Sequence, residues 1–108
     1  MGQVAWASGR WQVKDGEVDT FIDRWKDWLG WTSQSVQGFR SATLLQAKDE
    51  PRRFTSFSDW DDDASLQAWK QSPAFAEKFA AVRDLCDDVV AGDFEVSASF
   101  VAPGTSEG

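Results

Sequence analysis

Histidine and tyrosine are absent from this 108-residue chain, cysteine and methionine occur once each, and 11 lysines and arginines stand against 18 aspartates and glutamates. Without histidine, the side chain that most readily exchanges protons or binds metals near neutral pH is missing. Any acid–base chemistry falls to carboxylates, hydroxyls and lysine. The single cysteine, Cys86, excludes an intrachain disulfide framework and points to a reducing, cytoplasmic setting. A net charge of −7 repels phosphate backbones and anionic lipid, so neither a nucleic acid nor a membrane surface is the expected partner. No apolar run nears the roughly 20 residues that cross a bilayer, and the first residues lack the basic-then-apolar pattern of a secretory leader.

Aromatic surface is abundant instead, with seven tryptophans and eight phenylalanines. Such rings serve as core and as stacking walls for flat ligands. Residues 4–13 (VAWASGRWQV) read as a strand with Gly9 inside it, where a glycine marks a bulge or a close approach. Val18, Phe21, Ile22, Trp25, Trp28 and Leu29 recur at three- and four-residue steps and predict an amphipathic helix, with Trp31 beyond its last periodic position. Residues 39–47 and 54–60 read as strands joined by a polar hairpin that contains Pro51. Asp61, Asp62 and Asp63 suit a helix start, where exposed N–H groups favour negative charge; three consecutive carboxylates point apart and do not make a metal site. Pro73 after Ser72 opens a second helical piece, whose stripe is read as Phe75, Phe79, Val82, Cys86 and Val89. Residues 91–93 are expected to stop it and residues 94–101 to supply a fourth strand. One domain is expected over residues 1–101, with residues 102–108 a disordered tail.

The predicted order is βαββαβ, the ferredoxin-like α+β pattern with a four-stranded antiparallel sheet. One helical layer covers one sheet face. Apolar residues at both parities, among them Phe39, Leu44, Leu45, Phe54, Phe57 and Trp60, predict that the other face is covered by a second copy.

Residues 54–79 (FTSFSDWDDDASLQAWKQSPAFAEKF) combine a strand ending in Trp60, an acidic helix start, Trp69, and a Ser-Pro break before Phe75 and Phe79. With Gly38-Phe39, Leu44-Leu45 and Trp60-Asp61-Asp62, this order resembles the antibiotic biosynthesis monooxygenase family, whose members form dimeric α+β barrels. One branch of that family degrades haem with a strand-one asparagine, a helix tryptophan and an axial histidine. These positions fall on Gly9, Trp69 and Lys78 or Phe79, so only the tryptophan is kept. Another branch oxidises polycyclic aromatic compounds without metal or flavin. Its tryptophan matches Trp60, its asparagine four residues earlier matches Ser56, and its tyrosine has no counterpart. A third branch, of isomerases and quinone oxidases, often employs histidine.

The resemblance implies a cofactor-independent monooxygenase or oxidase of a hydrophobic polycyclic or quinone-like compound, with O2 as co-substrate. Trp69 and Ser56 are the expected catalytic residues. Trp60, Ser58, Gly9, Phe75 and Phe79 are expected to bind the substrate, and no metal or cofactor is implied. Ser56 and Ser58 share the strand face of Trp60, whereas Asp59 points to the other and is not placed to act as a base. No residue of the pattern is an evident general base. The rival expectation is a non-catalytic dimer that carries an apolar small molecule; a haem protein is the third. Cys86 is expected to be a structural thiol.

Overall fold

A computed structural model describes residues 4–104. Four strands and three helices follow in the order β1 (Ala5–Val13), α1 (Val18–Ser35), β2 (Phe39–Gln46), β3 (Arg53–Trp60), α2 (Asp63–Lys70), α3 (Pro73–Arg83) and β4 (Cys86–Glu95). The strands form one antiparallel sheet in the order β2-β3-β1-β4, and the architecture is the ferredoxin-like α+β fold.

Local chemistry accounts for most boundaries. The Asp62 carboxylate accepts the Ser65 N–H at 2.8 Å and caps α2; the Ser72 hydroxyl accepts the Phe75 N–H at 3.1 Å and caps α3, with proline in the first turn. Gly38 adopts φ +87°, and a Cβ there would collide with the Ser65 side chain, so glycine is required both by conformation and by the approach of α2. The Gly38 carbonyl accepts the Asp61 N–H, joining the start of β2 to the start of α2.

Two boundaries depart from expectation. Helix α1 continues past Leu29 to Ser35, because Thr32 turns inward, is fully buried, and donates its hydroxyl back to the Trp28 carbonyl at 2.8 Å. The last strand occupies Cys86–Glu95 rather than residues 94–101, and α3 ends at Arg83. Cys86 and Val89 therefore belong to a strand, not to a helical stripe, and residues 91–93 lie within the strand instead of stopping a helix. Antiparallel pairing with β1, which sets Trp11 opposite Val89 and Ala7 opposite Asp93, overrides the local spacing. Residues 96–104 have no strand or helix, and residues 105–108 of the expected tail lie outside the described residues.

Register divides the side chains between two faces. Toward the helices point Ala5, Ala7, Gly9, Trp11 and Val13 of β1, with Phe54, Ser56, Ser58 and Trp60 of β3. They meet Phe21, Trp25, Trp28 and Leu29 of α1, Leu66 and Trp69 of α2, and Val82 of α3 in one core. The opposite face carries Trp6, Phe57, Phe94, Val90 and Leu45, of which the last four are exposed. Asp59 also lies on this face, where it accepts from the Ser41 hydroxyl and faces Arg40 at 3.4 Å.

Candidate active site

Small residues in two adjacent rows of the sheet leave space beneath the helices. Across the strands, Ser56 stands beside Gly9 and Gly9 beside Ala91; one row along, Ser58 stands beside Ala7 and Ala7 beside Asp93. Above this floor lie Trp28 from α1, Trp69 from α2, and Phe75 and Phe79 from α3, which enclose an apolar cavity of about 60 Å³. The roof is itself stacked: Trp28 lies nearly parallel to Trp69 at 5.6 Å, and Phe75 to Phe79 at 5.4 Å. The result is a flat slot with aromatic walls. Its volume equals that of a few waters, at about 10–15 Å³ each, and a ring system requires the half-buried Phe75 and Phe79 to yield.

Hydrogen bonds fix the wall. Trp11 Nε1 donates to Ser56 Oγ at 3.0 Å, Trp60 Nε1 to Ser58 Oγ at 3.1 Å, and Trp69 Nε1 to Thr32 Oγ1 at 3.2 Å. Both serines are buried, and each oxygen receives an indole N–H while its own proton remains available to a ligand. Gly9 lines the cavity with its backbone, and the Trp11 indole folds back along its strand, so that a Cβ at Gly9 would sit 2.8 Å from its Nε1. Trp60 is fully buried and stands behind the wall, tilted against Trp69 at 4.7 Å. Trp31 lies outside the cavity under Lys78, whose ammonium is 5.3 Å from its ring. Lys78 and Phe79, the positions matching an axial haem ligand, are thus a surface cation and an aromatic wall.

Sequence reasoning missed Lys70 and Asp93, the two titratable side chains in the cavity wall. Lys70 Nζ donates to Asp93 at 2.7 Å, and Gln67 Nε2 donates to the same carboxylate at 3.0 Å. Burial alone would raise the Asp93 pKa, but the hydrogen bonds from Lys70 and Gln67 and the lysine charge outweigh it and hold the carboxyl below its usual range. The local sequence conceals the pair, because residues 91–93 have the composition of a helix stop. Cys86 is half-buried at the start of β4; burial first, then Asp87, pushes its thiol up to about 11, so it is protonated and unreactive at neutral pH.

Fold and cavity together define a ferredoxin-like domain with an aromatic-lined cavity between helices and sheet. The chain belongs to the antibiotic biosynthesis monooxygenase family, whose profile matches residues 7–84. Among solved structures it is similar to SnoaB, a cofactor-independent oxygenase from Streptomyces nogalater, at 20% identity and TM-score 0.81 over 94% of this chain and 99% of that one. A conserved protein from Methanosarcina mazei Go1 is 20% identical, with TM-score 0.76 over 86% and 92% of the two chains. A protein from Shewanella oneidensis is 18% identical, with TM-score 0.76 over 89% and 93%. At these identities the likeness establishes the fold. No curated protein matches significantly.

Proposed function

We propose that the protein is a cofactor-independent monooxygenase or oxidase of a hydrophobic, polycyclic or quinone-like compound. The observation that carries this reading is the slot itself, with a floor of small residues and a roof of stacked rings beside two buried hydroxyls. Such a shape suits a planar ligand held by a few fixed polar groups. Ser56 and Ser58 orient the substrate oxygens, Trp69, Phe75 and Phe79 sandwich its rings, and Gly9 with Ala7 lets it lie against the sheet; Trp60 holds Trp69 and Ser58 in place. In an anthrone-like substrate the methylene between two aryl rings, conjugated through them to the ring ketone, loses a proton to give an enolate, which passes an electron to O2. The radical pair combines to a hydroperoxide, and loss of water leaves a carbonyl. One oxygen atom is retained, and the other departs as water with the two hydrogens from carbon. Asp93 is the carboxylate in the wall, but Lys70 and Gln67 hold its basicity low, so the first proton passes to water.

The reading includes a homodimer joined through the open sheet face, in the reducing cytoplasm. Phe94, Phe57, Val90 and Leu45 form an exposed apolar surface on one side of the sheet, and the shielded Trp6 Nε1 on that side has no protein acceptor. The test is oxygen uptake by the purified protein, in chelator, with hydroxyanthrones and hydroquinones. Protein-dependent consumption above the spontaneous rate, diminished in Trp69→Phe and Ser56→Ala, is the expected outcome. A folded dimer that binds these compounds but consumes no oxygen would instead be a carrier of apolar metabolites.

A further inference from the structure

One residue of the slot wall, Trp28, has a polar group without a protein partner. Trp28 is 5% exposed, stacks on Trp69 and meets Phe75 and Phe79 edge-on, yet its Nε1–H is shielded from solvent without an acceptor. The neighbouring indoles show the contrast, since the N–H groups of Trp11, Trp69 and Trp60 are each matched by a hydroxyl. A buried donor left unpaired is unfavourable, and native proteins seldom keep one unless water or a ligand supplies the acceptor.

Building on the function proposed above, we propose that Trp28 Nε1–H hydrogen-bonds an oxygen of the ligand, and that the slot thereby selects hydrogen-bond acceptors: quinone carbonyls, or phenolate and enolate oxygens. Among the described residues of the wall, the polar hydrogens free to meet a ligand include the Trp28 N–H, the hydroxyl protons of Ser56 and Ser58, whose oxygens already receive indole N–H groups, and those Lys70 hydrogens not given to Asp93. Lys70 and Asp93 neutralise one another. The interior is therefore biased toward donors. A neutral phenol brings one more donor into such a site, whereas its anion brings only acceptors. The slot favours the ionised ligand and lowers its pKa, the phenolic proton leaving to solvent and the charge remaining on oxygen. Activation of the substrate then rests on stabilising its anion, which a chain without histidine or tyrosine can do.

The test uses 1,8-dihydroxyanthraquinone and anthracene as probes of full-length protein and of Trp28→Phe, with binding followed by fluorescence or calorimetry. The variant is expected to weaken the quinone about five- to tenfold more than the hydrocarbon, the difference expected for one hydrogen bond. The ratio cancels the packing change that both probes feel. In the wild type, one indole N–H resonance should move downfield with the quinone and not with anthracene, and the bound dye should ionise at lower pH than in water. Equal losses for the two probes, an unmoved indole resonance, or a dye whose pKa rises on binding would overturn the proposal while leaving a planar-ligand slot. Failure of the wild type to bind either probe would remove the planar ligand as well. If Trp28→Phe does not fold, the wild-type resonance and dye titration decide the matter alone.

Discussion

Alanine in place of glycine should have opposite effects at two positions of this chain. At Gly9 a new Cβ would lie 2.8–2.9 Å from Nε1, Cε2 and Cζ2 of Trp11, closer than a side chain tolerates. Trp11 is 3% exposed and wedged against Phe21, Trp28 and Phe79, with ring centroids 5.6, 6.4 and 5.8 Å away, so its indole has no free direction of retreat. Overpacking of this kind costs about 1–3 kcal/mol. If the indole does move, the Ser56 bond is lost and a buried donor is stranded, at a similar cost of about 1–3 kcal/mol. The usual benefit of removing a strand glycine, about 0.5–1 kcal/mol, offsets only part of either. Gly9→Ala should therefore destabilise by about 0.5–2 kcal/mol net, at roughly 4–8 °C per kcal/mol for a domain near this size. Gly30, exposed in α1, has nothing within 4 Å of the corresponding point. There the same change should stabilise by about 0.5–1 kcal/mol. Urea and thermal unfolding at one fixed protein concentration decide between them. A Gly9→Ala protein as stable as its parent, beside a Gly30→Ala protein that gains as expected, would refute the account of Trp11 as a pinned ring.

Ser56→Ala should lower stability by about 1–3 kcal/mol by orphaning the Trp11 N–H, and the loss should shrink when Trp11→Phe is already present; unfolding of the double-mutant cycle tests the coupling. The Asp93 carboxyl is held below its unfolded value, so its contribution is complete above the ordinary aspartate pKa of about 3.9 and fades as pH falls through the lower folded value. Urea midpoints from pH 6 to pH 3 should accordingly fall more steeply for the wild type than for Asp93→Asn, and equal slopes would contradict the Lys70–Asp93 clamp. Phe94 is 59% exposed, so Phe94→Asp should barely alter the monomer, within about 0.5 kcal/mol. In a dimer joined through the sheet it buries a charge and should raise the dissociation constant at least about tenfold by sedimentation.

Most of the fold was legible because its signals are local. Apolar spacing marked α1, the acidic run and Ser72-Pro73 divided α2 from α3, and Gly38-Phe39 opened β2. The start of β4 was not, for a physical reason. Val82, Cys86 and Val89 continue a helical spacing that nothing nearby contradicts, and only pairing with β1, some 75 residues earlier, makes the segment a strand. The pairing has a chemical consequence. With residues 91–93 read as a helix end, Asp93 had no place near Trp69, and the site looked devoid of a carboxylate. Register sets Asp93 opposite Ala7 and brings it to Lys70. The aromatic components of the site were visible as residue types. Their division was not: whether Trp60 backs the wall while Trp28 forms it depends on packing between elements that no spacing encodes.

The hydrogen-bond pattern also bears on how the proposed oxygenation proceeds in a histidine-free member of this family. A base in the wall helps when a proton must be removed faster than the substrate ionises unaided. Asp93 is poorly suited to that role, since the lysine and glutamine that hold it in place also keep its basicity low. Donors that meet the oxygen of the substrate act on the same equilibrium from the other side, by making the anion more stable and leaving water to take the proton. Indole N–H groups and serine hydroxyls supply such donors without titrating between pH 5 and 9. On this mechanism the rate should rise with pH until the bound substrate is ionised and then level off, with a midpoint that follows the substrate's acidity. Replacing a hydroxyanthrone by a more acidic one should move the midpoint down, while Asp93→Asn should leave it in place. A midpoint that stayed fixed across substrates and moved with Asp93 would assign the proton transfer to that carboxylate instead.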